Sequence, residues 1–518
     1  MPVGRPVNGE GYGRFVGPPS RAELERYFFL DDRDLALVAK RRGDHNRMGF
    51  AVQLGTVRLL GTFLADPTAV PTEVTDYVAE QVGAPDPSCL KGYMARRSTR
   101  FEHTAEIAAE YGYRDFTAAA AELAQWVDDR AWTTGDGPKA LFEGAVAWLR
   151  ERQVLLPGVT RLAKLVARVR DEAMQRLWDV LAAVVTPAQA RMLELLLEVP
   201  DGARFSDLER LRNGPRTRSG KAMVAALDRV AEVAALGLGS LRLDEVPQRR
   251  VVELARWGMA GKAPALRRHP YSRKLATLLS TVVYLEAKAT DDALELFDVL
   301  MTTDLMAQAV RESKADKLRR YPTVSRDAAR CAAAVEVLFA SEEWGEDVTV
   351  EAIWAAIDNV VPRGELREAV AHLAAVVPPP DAEAGGEWRS ALVERYAVVR
   401  RFVPLLCRTV ELGASAEAAP VLVALHSLPD LMEARATKRT PAGYLDASQI
   451  AAAVVPAGWW RSLVFPPDRP EGTVHRAGYV FCVLEQFHQR LRRRDIFAAT
   501  SSRWADPGQQ LVGLGGEL

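Results

Sequence analysis

Apolar residues recur at helical spacing along almost the whole chain, and short basic clusters interrupt them. In the stretch Lys40 to Phe116, residues Phe50, Leu54, Val57 and Gly61 fall at i, i+4, i+7 and i+11. That spacing lines one face of a helix. Val74, Val78 and Val82 repeat it after Val70-Pro71, and a further helix is expected from about Ser98 to Tyr111. Ser20 with Glu23 has the spacing of a capping box and predicts a short helix ending near Phe29. Pro138 suits a first helical position, with Leu141, Ala145 and Trp148 following on one face. A long helix is predicted from about Thr160 to Val185, its apolar side carrying Leu162, Leu165, Val169, Ala173 and Leu177. Thr186, Pro187 and Gln189 restart a helix, and Ser206 with Glu209 caps another that stops at Asn213-Gly214-Pro215. The next is expected from about Ser219 to just before Gly237.

The helical pattern persists towards the C-terminus. Two long helices split near Thr290 are predicted, with Asp291 and Asp292 as a helix start. Carboxylates there suit the positive end of the helix dipole. A linker is read at Val376 to Gly386, then helices at roughly Glu387–Glu411, Ala416–Leu428 and Tyr479–Arg494. Beyond Arg494 the chain reads as extended, down to Gly515 and Leu518. Period-two alternation is scarce, so the expected fold class is mainly α and multidomain. A length of 518 residues suggests about three to five domains.

Charge changes this picture locally rather than globally. The formal net charge is −1. From Phe205 to Lys274, however, 15 Lys and Arg face 7 Asp and Glu, while Ser341 to Val360 holds six acidic residues and no Lys or Arg. Such asymmetry points to a polyanion partner for the basic part. Two clusters stand out as candidate DNA contacts. The first comprises Lys40, Arg41, Arg42 and Arg47, then Arg96, Arg97 and Arg100; the second comprises Arg212, Arg216, Arg218 and Lys221. Both fall where one predicted helix gives way to the next. A helix-turn-helix arrangement puts the second helix's N-terminus into a DNA groove, and exposed N–H groups there favour phosphate. A plain helical bundle with solvated cations fits the same spacing. A further basic cluster is Arg267, Arg268, Arg273 and Lys274.

Enzyme signatures are few. The sequence has no GxxxxGK[ST] phosphate loop, no HExxH and no GxSxG, and Gly237-Leu238-Gly239 lacks the third glycine of a dinucleotide fingerprint. Cys89, Cys331, Cys407 and Cys482 are far apart and form no CxxC, so no zinc or disulfide framework is read from them. His103 is expected on a helix as a partnered or surface residue, and Trp459 and Trp460 as core residues at the end of a connection. Met301, Leu305 and Met306 read as core. No uncharged apolar run reaches the length of a membrane span and no apolar leader is evident. A soluble, cytoplasmic protein is therefore expected.

Several long blocks, in order, carry a resemblance. FFLDDRDLALVAKRRGDHNRMGFAVQLGTVRLLGTFL, VPTEVTDYVAEQVG and RRSTRFEHTAEIAAEYGYRDF come first. LRERQVLLPGVTRLAKLVARVRDEA, LARWGMAGKAPALRRHPYSRKLATLLSTVVYLEAKATDDALELFDVLM and YVFCVLEQFHQRLRRRDIFAATSSRWADP follow. Together they resemble the N-terminal portion of the Tn-three family of replicative bacterial transposases, from about Tyr27 to Leu511.

That family implies helical domains that recognise terminal inverted repeats in double-stranded DNA, a dimerisation region and a scaffold. An RNase H-like domain follows in family members, whose Asp, Asp and Glu hold two divalent metals for strand cleavage and transfer. No carboxylate here matches that triad, and the chain leaves the pattern after SSRWADPGQQLVG. The expectation is a chain lacking the catalytic domain, with no catalytic or metal-binding residue and magnesium belonging to the missing part. The domains expected are a mobile arm at 1–19, DNA-binding domains at 20–135 and 136–275, a homodimerisation region at 276–378 and a scaffold segment at 387–512. A non-catalytic regulator that occupies the repeats, or a helical scaffold that binds no DNA, are the alternatives.

Overall fold

The computed structural model describes residues 11–342, 345, 348–376, 386–435 and 441–508. The fold is mainly α, as the periodicity predicts. Its four strands, among the described residues, form two short antiparallel pairs: Leu412–Ala414 with Ile496–Ala498, and Tyr444–Asp446 with Thr473–His475. Contacts divide the chain into two compact units, Met1–Leu193 with Leu241–Thr281, and Glu194–Ser240 with Val282–Leu518.

In the first unit the helix Asp44–Leu60 is the centre of a core. It is buried continuously from Met48 to Val57 rather than along one stripe. A helix covered on all sides needs neighbours that approach closely, and two glycines allow it. A Cβ on Gly49 would lie 2.2 Å from the Tyr93 ring, and one on Gly55 2.1 Å from the Phe28 ring. Of the two polar residues in this run, Gln53 and Thr56, Gln53 is satisfied by the backbone of Leu64. Its amide Nε2 donates to the Leu64 oxygen at 2.9 Å and its Oε1 accepts from the Leu64 N–H at 3.0 Å. Gly61 ends the helix at φ 74°, a conformation that glycine adopts without a Cβ penalty. Capping boxes at Ser20 and Asp31 start the helices Arg21–Tyr27 and Asp32–Ala39.

The predicted arm divides. Residues 1–10 lie outside the described residues. The rest packs down instead of standing free: the Tyr12 hydroxyl donates to the Pro157 carbonyl at 2.7 Å, and its ring lies 5.6 Å from that of Phe142. The partly buried ring of Tyr12 thus ties this segment to Phe142 on the helix Pro138–Glu151. Three helices, Phe116–Thr134, Pro138–Glu151 and Val159–Ala183, form the rest of this core. Leu141, Ala145 and Trp148 are buried as the spacing predicts. In the long helix Val166 is buried and Leu165 only partly so.

The second unit is built on the helix Arg476–Arg493, which buries Tyr479 to Glu485, Phe487, His488 and Leu491. Met301 and Leu305 join this core, with Met306 packed against it. The break expected near Thr290 does not occur, because Thr290 is interior to the helix Tyr271–Val299. Its hydroxyl is absorbed by the Glu286 carbonyl at 3.0 Å, which keeps the polar group from interrupting the helix. Asp291 and Asp292 are not a helix start either. Asp292 pairs with Arg229 at 2.8 Å and Lys288 at 3.1 Å, and Asp291 accepts from the backbone of Arg503 at 3.0 Å and the hydroxyls of Ser501 and Ser502.

The single helix expected over Glu387–Glu411 is three: Trp388–Val393, Tyr396–Val399 and Val403–Thr409. Pro404, with no backbone N–H, fits the first turn of the third and not the interior of a continuous helix. The helix predicted at Ala416–Leu428 runs Ala419–Glu433, with Pro420 at its start. Ala307–Ser341, Val350–Val360 and Arg363–Val376 form a helical group. Asp327 anchors it through His372 Nδ1 at 2.7 Å and Arg330 at 3.3 Å. Most of the expected linker, 377–385, and the terminal stretch 509–518 lie outside the described residues. The four cysteines are free thiols, and burial pushes those of Cys407 and Cys482 up to about 12. No helix among the described residues is long and apolar enough to cross a membrane.

Candidate nucleic-acid interface

The first cluster begins where the helix Asp32–Ala39 ends. Lys40 and Arg42 are exposed, but Arg41 between them turns inward. Its Nη2 meets Glu106 at 2.5 Å, its Nε the Leu37 carbonyl at 3.3 Å, and its guanidinium sits 4.8 Å from the centre of the Phe50 ring. Arg47 is paired with Asp44 on the first turn of the central helix. The 3-10 turn Pro87–Ala95 then leads to exposed Arg96, and Arg97 opens the helix Arg97–Glu110. Arg100 donates to the Ala65 carbonyl and lies 4.6 Å over the Phe101 ring. The fold does bring the two runs together. Arg41 reaches Glu106 across 65 positions, and a Cβ on Gly92 would touch His45 at 3.3 Å. Of the seven residues, Arg41 and Arg100 have their guanidinium groups bound to the protein itself, whereas Lys40, Arg42 and Arg96 present theirs to solvent.

His103, on the same helix, is a core residue and not a phosphate contact. Its Nδ1 shares a 3.1 Å hydrogen bond with the Tyr93 hydroxyl, and its ring stacks at 5.5 Å on Tyr93 and edge-on at 5.3 Å on Phe50. Burial, helped by the charge of Arg41, pulls its pKa down to about 4 despite nearby Glu106. The unfolded chain therefore binds a proton that the folded chain refuses between about pH 6.5 and 4. Stability of the first unit should be highest above this window and fall as pH drops through it. His103→Gln should flatten that fall in chemical-denaturation profiles; an unchanged slope would refute the assignment.

The second cluster lies between the helices Asp207–Leu211 and Gly220–Ala234. The connection runs from Arg212 to Ser219, longer than the three- or four-residue turn of a compact helix-turn-helix. Two arginines outside the predicted set hold the helices together. Arg210 pairs with Asp207 and Glu232, while buried Arg229 donates from Nε to the Leu211 carbonyl at 2.7 Å. Arg212 is half-buried, and burial lowers its pKa from the usual value. Arg216, Arg218 and Lys221 are exposed. Arg216 reaches Asn213 at 3.4 Å and Arg218 stands 3.9 Å from Asp304, loose contacts that leave both accessible. Ser219 caps the second helix by accepting from the Ala222 N–H at 3.1 Å.

In the first unit a cleft of about 770 Å³ is lined by Trp178, Arg250, Trp257 and Arg273 among others. Arg273 of the further basic cluster lies 5.1 Å over the Trp178 ring. Among the described residues, no group of three or more His, Cys, Asp and Glu is arranged to hold a metal ion.

These features define a mainly α protein whose exposed cations gather where helices meet. Comparison with known proteins supplies the lineage. Residues 8–169 match a family described as a domain of unknown function, DUF4158. The chain is 36% identical over 505 residues to the transposase for transposon gamma-delta of Escherichia coli (strain K12), covering 97% of this chain and 48% of that protein. It is 43% identical over 325 residues to the transposase for transposon Tn4556 of Streptomyces fradiae, covering 61% and 36%. With the transposase for transposon Tn501 of Pseudomonas aeruginosa it shares 28% identity over 503 residues, covering 94% and 47%. The chain is homologous to Tn-three family transposases over nearly its whole length. It spans about half the length, or less, of these curated relatives.

Proposed function

We propose that these residues form the part of a transposase that recognises the terminal inverted repeats of its transposon in double-stranded DNA. The observation that carries this reading is the homology to transposases over 97% of the chain. The exposed cations at two helix junctions supply the chemistry. In this reading Lys40, Arg42 and Arg96 in the first unit, with Arg216, Arg218 and Lys221 in the second, contact phosphates and set register, while a few side chains read base edges. Strand cleavage and any magnesium lie outside the roles assigned to these residues, and the protein acts as a homodimer.

A mobility-shift titration tests the reading. Terminal-repeat DNA should bind at least ~10³-fold more tightly than random DNA. The double variant Arg216→Gln/Arg218→Gln should weaken binding and reduce the salt slope, d log K/d log[salt], by about 1.8, or 0.9 for each phosphate no longer neutralised. Equal affinity for repeat and random DNA would refute recognition of the repeats, and no binding to either would favour the helical scaffold that binds no DNA.

A further inference from the structure

The N-terminal end of the helix Gly220–Ala234 is not open on all sides. Gly220 is buried, and a Cβ there would stand 3.1 Å from the Val398 carbonyl oxygen and 3.2 Å from its Cγ1. The absence of a side chain at Gly220 lets the short helix Tyr396–Val399 close against this end. Ala222, Met223 and Val398 then share one core with Val399, Phe402 and Val403. Immediately after Val399 come Arg400 and Arg401, both exposed.

Chain connectivity keeps these arginines near the contact between Gly220 and Val398. Two or three residues span at most roughly 7–11 Å of chain, so Arg400 and Arg401 follow the Gly220 contact closely. Lys221 is next to Gly220 in sequence, and Arg216 and Arg218 precede it by four and two positions. Double-stranded DNA carries a phosphate charge every ~1.7 Å along its axis. A duplex that reaches Lys221 and runs over the Gly220–Val398 contact would also present phosphates to Arg400 and Arg401.

Partners separate these two from their neighbour. Arg395, five residues earlier, is occupied by Gln308 at 2.8 Å and Glu312 at 2.5 Å. Arg400 and Arg401 have no carboxylate partner among the described residues. Their neighbours Val399 and Phe402 are buried, which fixes the backbone that carries them. Two exposed cations with no carboxylate within ion-pair distance among the described residues suit a polyanion.

We infer that Arg400 and Arg401 belong to the same DNA-phosphate contact surface as Arg216, Arg218 and Lys221. The inference rests on the DNA-binding reading above and extends it to a surface assembled from two segments about 180 residues apart in sequence.

The test measures the affinity of the full chain for terminal-repeat DNA across a salt series. Arg400→Gln/Arg401→Gln should lower the slope by about 1.8 and the affinity at 0.15 M salt by roughly 30-fold, the factor that two phosphates at 0.9 each give relative to 1 M. Arg400→Lys/Arg401→Lys should keep most of the slope, since phosphate positioning needs the charge. Both substitutions are at exposed positions, and an unchanged thermal unfolding curve confirms that the fold is intact. If the parent binds repeat DNA and the Gln variant keeps its slope, the inference fails while the DNA-binding reading stands. If Lys and Gln variants lose slope equally, charge is not the cause and the inference fails. If the parent binds no DNA, the reading itself fails.

Discussion

Asp34→Ala is expected to destabilise the first unit by about 3 kcal/mol, because it leaves the partly buried Arg58 guanidinium without its partner and uncaps a helix. Asp34 is 1% exposed and serves two structures at once. It belongs to the capping box of the helix Asp32–Ala39, and it accepts a two-pronged pair from Arg58, Nη1 to Oδ2 and Nη2 to Oδ1, both at 2.8 Å. The Tyr111 hydroxyl also donates to it, and the Tyr111 ring lies 5.2 Å under the Arg58 guanidinium. One carboxylate thus joins a helix start, the end of the central helix and the helix Arg97–Glu110. For a unit of this size each kcal/mol shifts the melting temperature by about 2–4 °C, so a drop of roughly 6 °C or more is expected. A change of less than about 2 °C would refute the role.

The pH dependence of this site has a definite sign. Burial alone would raise the Asp34 pKa, but hydrogen bonds from Arg58 and Tyr111 outweigh it and hold the carboxyl below its ordinary value. A depressed folded pKa means that the stabilisation is fully present above the unfolded value of about 3.9 and is lost as pH falls through the folded value. Asp34→Asn should therefore show a shallower acid slope than the parent. This window lies below that of His103, so the two variants alter different parts of one profile.

Glu485→Ala is expected to have an effect of the same order in the second unit, about 3–5 kcal/mol. Glu485 is buried in the helix Arg476–Arg493. Arg389 donates to it from Nε and Nη2, both at 3.1 Å, and Trp460 Nε1 donates to its Oε2. The same guanidinium lies 4.9 Å over the Trp388 ring and 5.7 Å over the Trp460 ring. Removing the carboxylate strands a largely desolvated arginine and an indole N–H together. Glu485→Gln retains one acceptor and should lose less. The indole beside it makes tryptophan fluorescence, alongside calorimetry, a suitable measure of unfolding. Equal stability of the Ala variant and the parent would show that the pair contributes nothing net.

What was legible in the sequence was local or lineal. Capping boxes at Ser20 and Ser206, the proline at Pro138 and the breaker at Asn213-Gly214-Pro215 act within a few residues, and the elements they predict are present. Periodicity announced a mainly α fold for the same reason. The ordered blocks from Tyr27 onwards pointed to transposases, and the relatives extend over that range. The missing breaks and added breaks lie elsewhere. Thr290 looks like a helix boundary until its hydroxyl is seen bonded to the preceding turn, and the run from Glu387 looks continuous until Pro404 finds a first turn.

The basic clusters show the limit most clearly. By itself the sequence determined where the cations are, because charge is a property of the residue. Only the tertiary structure decided which of them face outward. Arg41 is drawn in by Glu106 and Phe50, Arg100 is held by the Ala65 carbonyl, and Lys40, Arg42 and Arg96 are left outside. Partner choice depends on residues tens to hundreds of positions away, and no local pattern encodes it. Gly220 is the same lesson at the second cluster: only a residue without a side chain lets the Val398 carbonyl approach the start of that helix, and nothing local in the sequence pairs the two segments.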